Sequence, residues 1–171
     1  MNSDPLDNIG LNVGDFENFL FHEAELLDGG HYDRWLALFS SSAWYWVPIH
    51  PDQDSPHDMV SIIYDDRRLM ETRVRRLLNE NIHAQSPPSR TSRIIGNVVI
   101  METDRENWNE DCEFVISSRF QMVEYRNEQQ RIFAGRQLHG LIQEGDTFKI
   151  GWKRVDLVNC EGMMEGIVVP F

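Results

Sequence analysis

A chain of 171 residues, 41% hydrophobic and 11% aromatic, has the size of one ordinary domain, roughly 100 to 200 residues, and too much apolar content for a disordered segment. Its formal charge of −12 repels a phosphate backbone and argues against a nucleic-acid partner. The longest unbroken aliphatic run, Val98 to Met101, is four residues, and the opening MNSDPLDNIG has neither a basic head nor an apolar middle; a soluble cytoplasmic chain without membrane span or secretory signal is expected. Cys112 and Cys160 stand far apart with no CxxC, which suits a reducing compartment better than a disulfide or a thiolate metal site.

Residues 1–13 carry no apolar periodicity and read as a flexible arm ahead of a single domain over 14–171. Asp15 is a plausible N-cap for a helix in which Phe16, Phe19, Leu20, Ala24 and Leu27 recur at three and four residues, and Gly29-Gly30 supplies the stop. A short second helix places Tyr32, Trp35, Leu36 and Phe39 on one side and ends in Ser40 to Ser42. Ala43 to Val47, closed by Pro48, favours a strand. An exposed loop rich in Pro and Asp follows, then a second strand over Met59 to Tyr64. Asp65 or Asp66 caps a third helix, with Leu69, Met70, Val74, Leu77 and Leu78 on one stripe and arginines opposite. Ser86-Pro87-Pro88-Ser89 cannot continue it.

Beyond that point the period changes. Runs at Arg93 to Glu102, Cys112 to Tyr125, Arg131 to Gln143 and Phe148 to Val158 alternate over most of their length, as half-buried strands do. Phe114, Ile116, Phe120 and Met122, then Ile132, Ala134, Leu138 and Ile142, then Phe148, Ile150 and Trp152 are assigned to one face. Short connections make these strands an antiparallel meander. Gly96, Gly135, Gly140 and Gly151 are where a long sheet can bend. Helices followed by long strands define an α+β fold: a cone-shaped, curved antiparallel sheet with the helices across its concave face.

Motifs for chemistry are scarce. No HExxH, GxSxG, GxGxxG or GKS pattern is present, and neither cysteine has a nearby histidine for a Rieske-type pair. His50 to Asp58, HPDQDSPHD, resembles a metal loop in composition, but a proline-rich exposed loop is a poor rigid template. General acid-base work inside a cone has His22, Asp28, Tyr45 and His83 as candidates, each with an ordinary structural role to set against it. From Arg67 to Arg93 seven basic residues face two acids, a local +5 in a chain otherwise at −17. Internal pairing, or docking to an acidic partner or a second copy, explains that contrast.

Four stretches in order, FLFHEAELLDGGHYDRWLALF with WYWVP, SIIYDDRRLMETRVRRL, and PPSRTSRIIGNV, resemble the small, or beta, subunit of bacterial Rieske-type aromatic-ring-hydroxylating dioxygenases. The resemblance implies a cystatin-like cone of the nuclear-transport-factor-2 type. It implies a non-catalytic structural subunit, with the Rieske [2Fe-2S] cluster and the mononuclear iron in a large alpha partner, an α3β3 assembly, and self-association of this chain as a trimer. It supplies no catalytic or metal residue. By position in the family motifs, Asp65, Asp66, Arg67, Arg90, Thr91 and Arg93 are candidates for subunit contacts or for internal pairing that shapes the contact surface. Two other readings stand beside it: a free-standing cone enzyme, dehydratase or isomerase, which requires a His and a carboxylate within hydrogen-bond reach in a cavity, and a small-molecule binding module without that pair.

Overall fold

The computed structural model describes residues 10–79, 86–102, 112–162 and 166–171. Its elements are α1 (Val13–Asp28), α2 (Tyr32–Ala37), β1 (Phe39–Pro48), β2 (Ser61–Asp66), α3 (Arg67–Leu77), β3 (Arg90–Met101), β4 (Phe114–Arg126), β5 (Gln129–Glu144) and β6 (Thr147–Leu157). Among the described residues no helix is long and apolar enough to cross a membrane.

The six strands form one curved sheet in the order β2-β1-β6-β5-β4-β3. Neighbours are antiparallel except β1 and β6, which run parallel. The fold class is the α+β cone expected from the sequence, and the meander β3 to β6 is antiparallel as expected; the sheet as a whole departs from the antiparallel expectation in one pair, β1 with β6. β3 breaks register between Gly96 and Val99, and Asn97 there adopts a positive φ of 52°, a conformation to which asparagine is better suited than most residues.

Two helix boundaries differ from the sequence expectation. The N-cap of α1 is Asn12, whose Oδ1 accepts from the Gly14 N–H at 2.8 Å. Asp15 is the reciprocal partner: its carboxylate accepts from the Asn12 N–H at 2.7 Å. An acidic residue three positions past the cap satisfies the donor that the cap leaves open, so both side chains are used. In α2, Phe39 leaves the helix and opens β1, where it pairs with Ile150. The Ile150 N–H donates to the Leu38 carbonyl at 2.8 Å, and this tertiary pairing overrides the weak helical tendency of the serines that follow.

The larger correction concerns which face each strand buries. Residues directly opposite in a ladder share a face, and β5 sets Phe133, Gly135, Gln137, His139 and Leu141 against Met122, Phe120, Ser118, Ile116 and Phe114 of β4. The inner face of β5 is therefore the odd-numbered set. Ile132, placed inside by its hydrophobicity, is 64% exposed, and Leu138 packs with Val115 and Trp152 on the outer face. In β6, Phe148 and Ile150 face inward as expected, but the register shifts between Gly140 and Leu141 of β5. The next inward residues are Lys153, Val155 and Leu157, while Trp152 turns outward.

The main core lies between the concave face and the helices. Phe16 of α1 stacks on Phe148 at 4.9 Å, and Trp35 of α2 meets Phe39 and Tyr45 edge-on. On the outer face the Trp152 indole covers Gly140; a Cβ there would lie 2.0 Å from its Nε1. Trp44 stacks on Trp152 at 5.3 Å, and the Arg154 guanidinium lies 4.4 Å over the Trp46 ring.

Candidate functional site

One row across the concave face carries polar side chains. Tyr45 of β1 pairs with Lys153 of β6, Lys153 with His139 of β5, and His139 with Ile116 of β4. α1 lays Glu23 over this row, on the same stripe as Phe16, Phe19, Leu20 and Leu27. The Lys153 ammonium donates to Glu23 Oε1 at 2.7 Å, His139 Nε2 lies 2.8 Å from Oε2, and the Trp35 indole N–H donates to Oε1 at 3.0 Å. Glu23, His139 and Lys153 are each at most 2% exposed.

Burial alone would raise the Glu23 carboxyl, but Lys153 and His139 beside it override that and hold it well below the usual carboxylate range. Burial lowers His139, and Glu23 opposes it only in part; burial likewise lowers Lys153 against the pull of Glu23. The centre is therefore a Glu−–Lys+ pair with a neutral imidazole, in which deprotonated Glu23 accepts three donors. His139 Nδ1 is buried with no hydrogen-bond partner among the described residues.

The C-terminal segment 166–171 completes the enclosure. Phe171 is fully buried, its ring 6.0 Å from Phe120 and 5.2 Å from Phe133. Its N–H donates to the Tyr45 hydroxyl at 3.1 Å, and its main-chain oxygen accepts from Lys153 Nζ at 2.7 Å. Burial raises the Tyr45 phenol, so it stays protonated. The Arg93 guanidinium donates to the Pro170 carbonyl.

The sequence-predicted residues divide between internal work and the surface. Asp28 accepts from the Thr91 hydroxyl at 2.8 Å, the Arg93 N–H at 2.7 Å and the Arg93 guanidinium, fastening the end of α1 to β3. Asp65, 8% exposed, pairs with Arg73 at 2.7 Å. Asp66 caps α3 by accepting from the Leu69 N–H at 2.8 Å. Arg67 Nη1 donates to the Leu36 and Phe39 carbonyls, both at 2.8 Å, and ties α3 to the α2–β1 junction. Arg90 is exposed, 4.9 Å over the Tyr125 ring. His22 is exposed on α1, Tyr45 is in the buried row, and His83 lies outside the described residues. Five of the six candidates for subunit contacts or internal pairing, all but Arg90, thus make internal hydrogen bonds. The exposed cations of α3 are Arg68, Arg75 and Arg76, which have no carboxylate within ion-pair distance among the described residues. They flank the exposed apolar side chains of Leu69 and Leu78.

Sequence reasoning missed Glu23, His139 and Lys153. Glu23 had a signal, as a lone charge on an apolar helical stripe. The His50 to Asp58 loop is built on another missed residue: buried Gln53 accepts from the Ile49 N–H and donates to the Ser55 and Met59 carbonyls and the Ser61 hydroxyl. Its histidines are engaged: His50 accepts from the Asp52 N–H through Nδ1 at 3.3 Å and meets Glu161 through Nε2 at 2.9 Å, and His57 lies edge-on to Tyr64. Among the described residues no three His, Cys, Asp or Glu side chains are grouped to hold a metal ion.

Fold and site together define an α+β cone whose Lys153 and Tyr45 hold the segment 166–171 and whose helix α3 turns Arg68, Arg75 and Arg76 outward, without a carboxylate partner among the described residues. The model of the ring hydroxylating beta subunit family matches residues 22–161, and the chain belongs to that family. It is 40% identical over 92 residues to the small oxygenase component of the p-cumate 2,3-dioxygenase system of Pseudomonas putida; the match covers 53% of this chain and spans about half, 51%, of that relative's length. It is 30% identical over 153 residues to the toluate 1,2-dioxygenase beta subunit of Pseudomonas putida, covering 83% and 87% of the two chains. The crystal structure of the benzoate 1,2-dioxygenase beta subunit of Burkholderia mallei superposes with a TM-score of 0.72 at 28% identity, covering 92% of this chain and 98% of the other.

Proposed function

We propose that this chain is the non-catalytic structural subunit of the terminal oxygenase component of a bacterial ring-hydroxylating dioxygenase, which adds dioxygen to an aromatic compound to give a cis-dihydrodiol. The observation that carries this reading is the family match over residues 22–161. The alpha subunit holds the Rieske [2Fe-2S] cluster and the mononuclear iron. This chain, trimerised within a cytoplasmic α3β3 assembly, fixes the alpha subunits so that the cluster of one lies close to the iron of its neighbour. The exposed Arg68, Arg75 and Arg76 support a docking role, since guanidinium groups suit specific carboxylate recognition across an interface. The internal bonds of Asp28, Asp65, Arg67 and Arg93 hold the helices that present them. Co-expression with the alpha subunit tests the proposal: hexamer formation and arene oxygenation both require this chain, and normal turnover by alpha alone overturns it.

A second reading, a cone enzyme of the dehydratase or isomerase type, rests on the 2.8 Å contact of His139 with Glu23, the acid-base pair that reading requires. That pair is sealed beneath α1 and Phe171, so substrate reaches it only if the tail moves. Iron-independent turnover by the isolated chain supports this alternative.

A further inference from the structure

The tail does more than fill space. Phe171 offers the interior a benzyl ring and an oxygen two carbons away, and each has a fitted counterpart. The ring sits between Phe120 and Phe133, and the oxygen is held by Lys153, whose side chain is 1% exposed. Tyr45, beside Lys153 in the sheet register, holds the same residue through its N–H. A second donor, Arg93, reaches the Pro170 carbonyl, and its buried Nε has no partner among the described residues. With His139 Nδ1 this leaves two buried nitrogens unsatisfied within one cluster, an expense that native interiors mostly avoid.

A cleft of about 280 Å³ is lined by Ile49, Ile62, Ile63 and Arg73 together with Gly166 and Ile167 of the tail. Residues 166–171 thus run from the wall of an open cleft to the polar row. Displacing them would expose an apolar slot between Phe120 and Phe133 beside an ammonium and a phenol, the pattern of a small-molecule site with few convergent polar groups.

We propose that the inside of the cone is a binding site for a small aromatic carboxylate, occupied in this structure by the chain's own Phe171. The ligand's ring takes the Phe120–Phe133 slot and its carboxylate accepts from Lys153 and Tyr45. The tail competes with it, so the intact protein binds weakly. Because the site is built only from groups within this chain, it does not depend on the oxygenase assembly, and failure to bind leaves that reading untouched.

The probe is 3-phenylpropionate, which reproduces the ring, two carbons and oxygen of Phe171. Calorimetry compares the full chain with its Phe171→Ala variant. The expected result is one site, bound at least about tenfold more tightly by the variant, and lost with propionate or 3-phenylpropan-1-ol, which lack the ring and the carboxylate respectively. In the unsubstituted chain, saturating 3-phenylpropionate speeds amide exchange in residues 166–171 by at least about tenfold, because a displaced tail loses its protection. A folded Phe171→Ala chain that binds no more tightly overturns the proposal. If that variant fails to fold, exchange in the unsubstituted chain decides: unchanged tail protection at saturating probe overturns it equally.

Discussion

Glu23 enters the core as a carboxylate because three donors meet it there, and removing any one leaves charge stranded. Lys153→Met leaves Glu23 with only His139 and the Trp35 N–H. Glu23→Gln leaves the Lys153 ammonium buried opposite a neutral amide. Breaking one side of a buried pair costs about 3–5 kcal/mol, so each single variant loses stability on that scale in urea titrations at pH 7. The double variant loses less than the sum, because the two groups interact directly. The same centre makes stability depend on pH. The folded pKa of His139 lies below its unfolded value of about 6.5. The unfolded chain therefore binds a proton that the folded one refuses, and stability falls as pH drops below about 6.5, by at most about 1.4 kcal/mol per unit. Glu23, also depressed, contributes fully above the ordinary carboxylate range and loses its contribution as pH falls through and below it. Urea midpoints between pH 8 and 5 follow the histidine window, and His139→Asn flattens it.

Among the elements, α3 and the β5–β6 ladder are held by features that single substitutions isolate. Asp66→Ala removes the cap of α3 and costs about 1 kcal/mol, read as a lower thermal midpoint. A Cβ at Gly135 would lie 2.0 Å from the Asp156 carbonyl oxygen. Gly135→Ala therefore forces two strands apart, at about 1–3 kcal/mol, measured the same way. These elements also show why some of the structure was readable from residue order and some was not. The helices and long strands followed from spacing, since α1 keeps its apolar stripe and the turn at Gly145 adopts the positive φ that glycine permits; of the stripe expected on α3 only Met70 and Val74 are buried, and Leu69 and Leu78 stand in solvent. The inner face of β5 did not follow, because it buries Gln137 and His139 while Ile132 stands in solvent. Hydrophobic alternation assigns faces only where inside is apolar. The polar centre and the misread strand face are one event: groups that find partners only across 116 and 130 residues look like surface residues until the sheet is assembled. The parallel β1–β6 pairing and the register shift at Gly140 likewise belong to tertiary structure alone.

At the scale of the whole molecule, the charge contrast between the Arg67–Arg93 region and the rest resolves into bonded and exposed cations. Arg67, Arg73 and Arg93 are engaged inside the fold, whereas Arg68, Arg75 and Arg76 face outward. Reversing those three to glutamate is expected to change monomer stability by no more than about 0.5 kcal/mol each while abolishing co-elution with the alpha subunit on size exclusion. Retained co-elution would place the docking surface elsewhere. The sheet order has a further effect, on manufacture. β1, the first strand made, lies between β2 and β6, the last, and the carboxylate of Glu23 is synthesised 130 positions before its ammonium partner. At about 5–20 residues per second on the ribosome, the emerging amino-terminal half waits several seconds or longer for the strand that closes it. Throughout that interval its aromatic helices lack their cover, and transiently exposed apolar surface of that kind is prone to aggregate before the sheet closes.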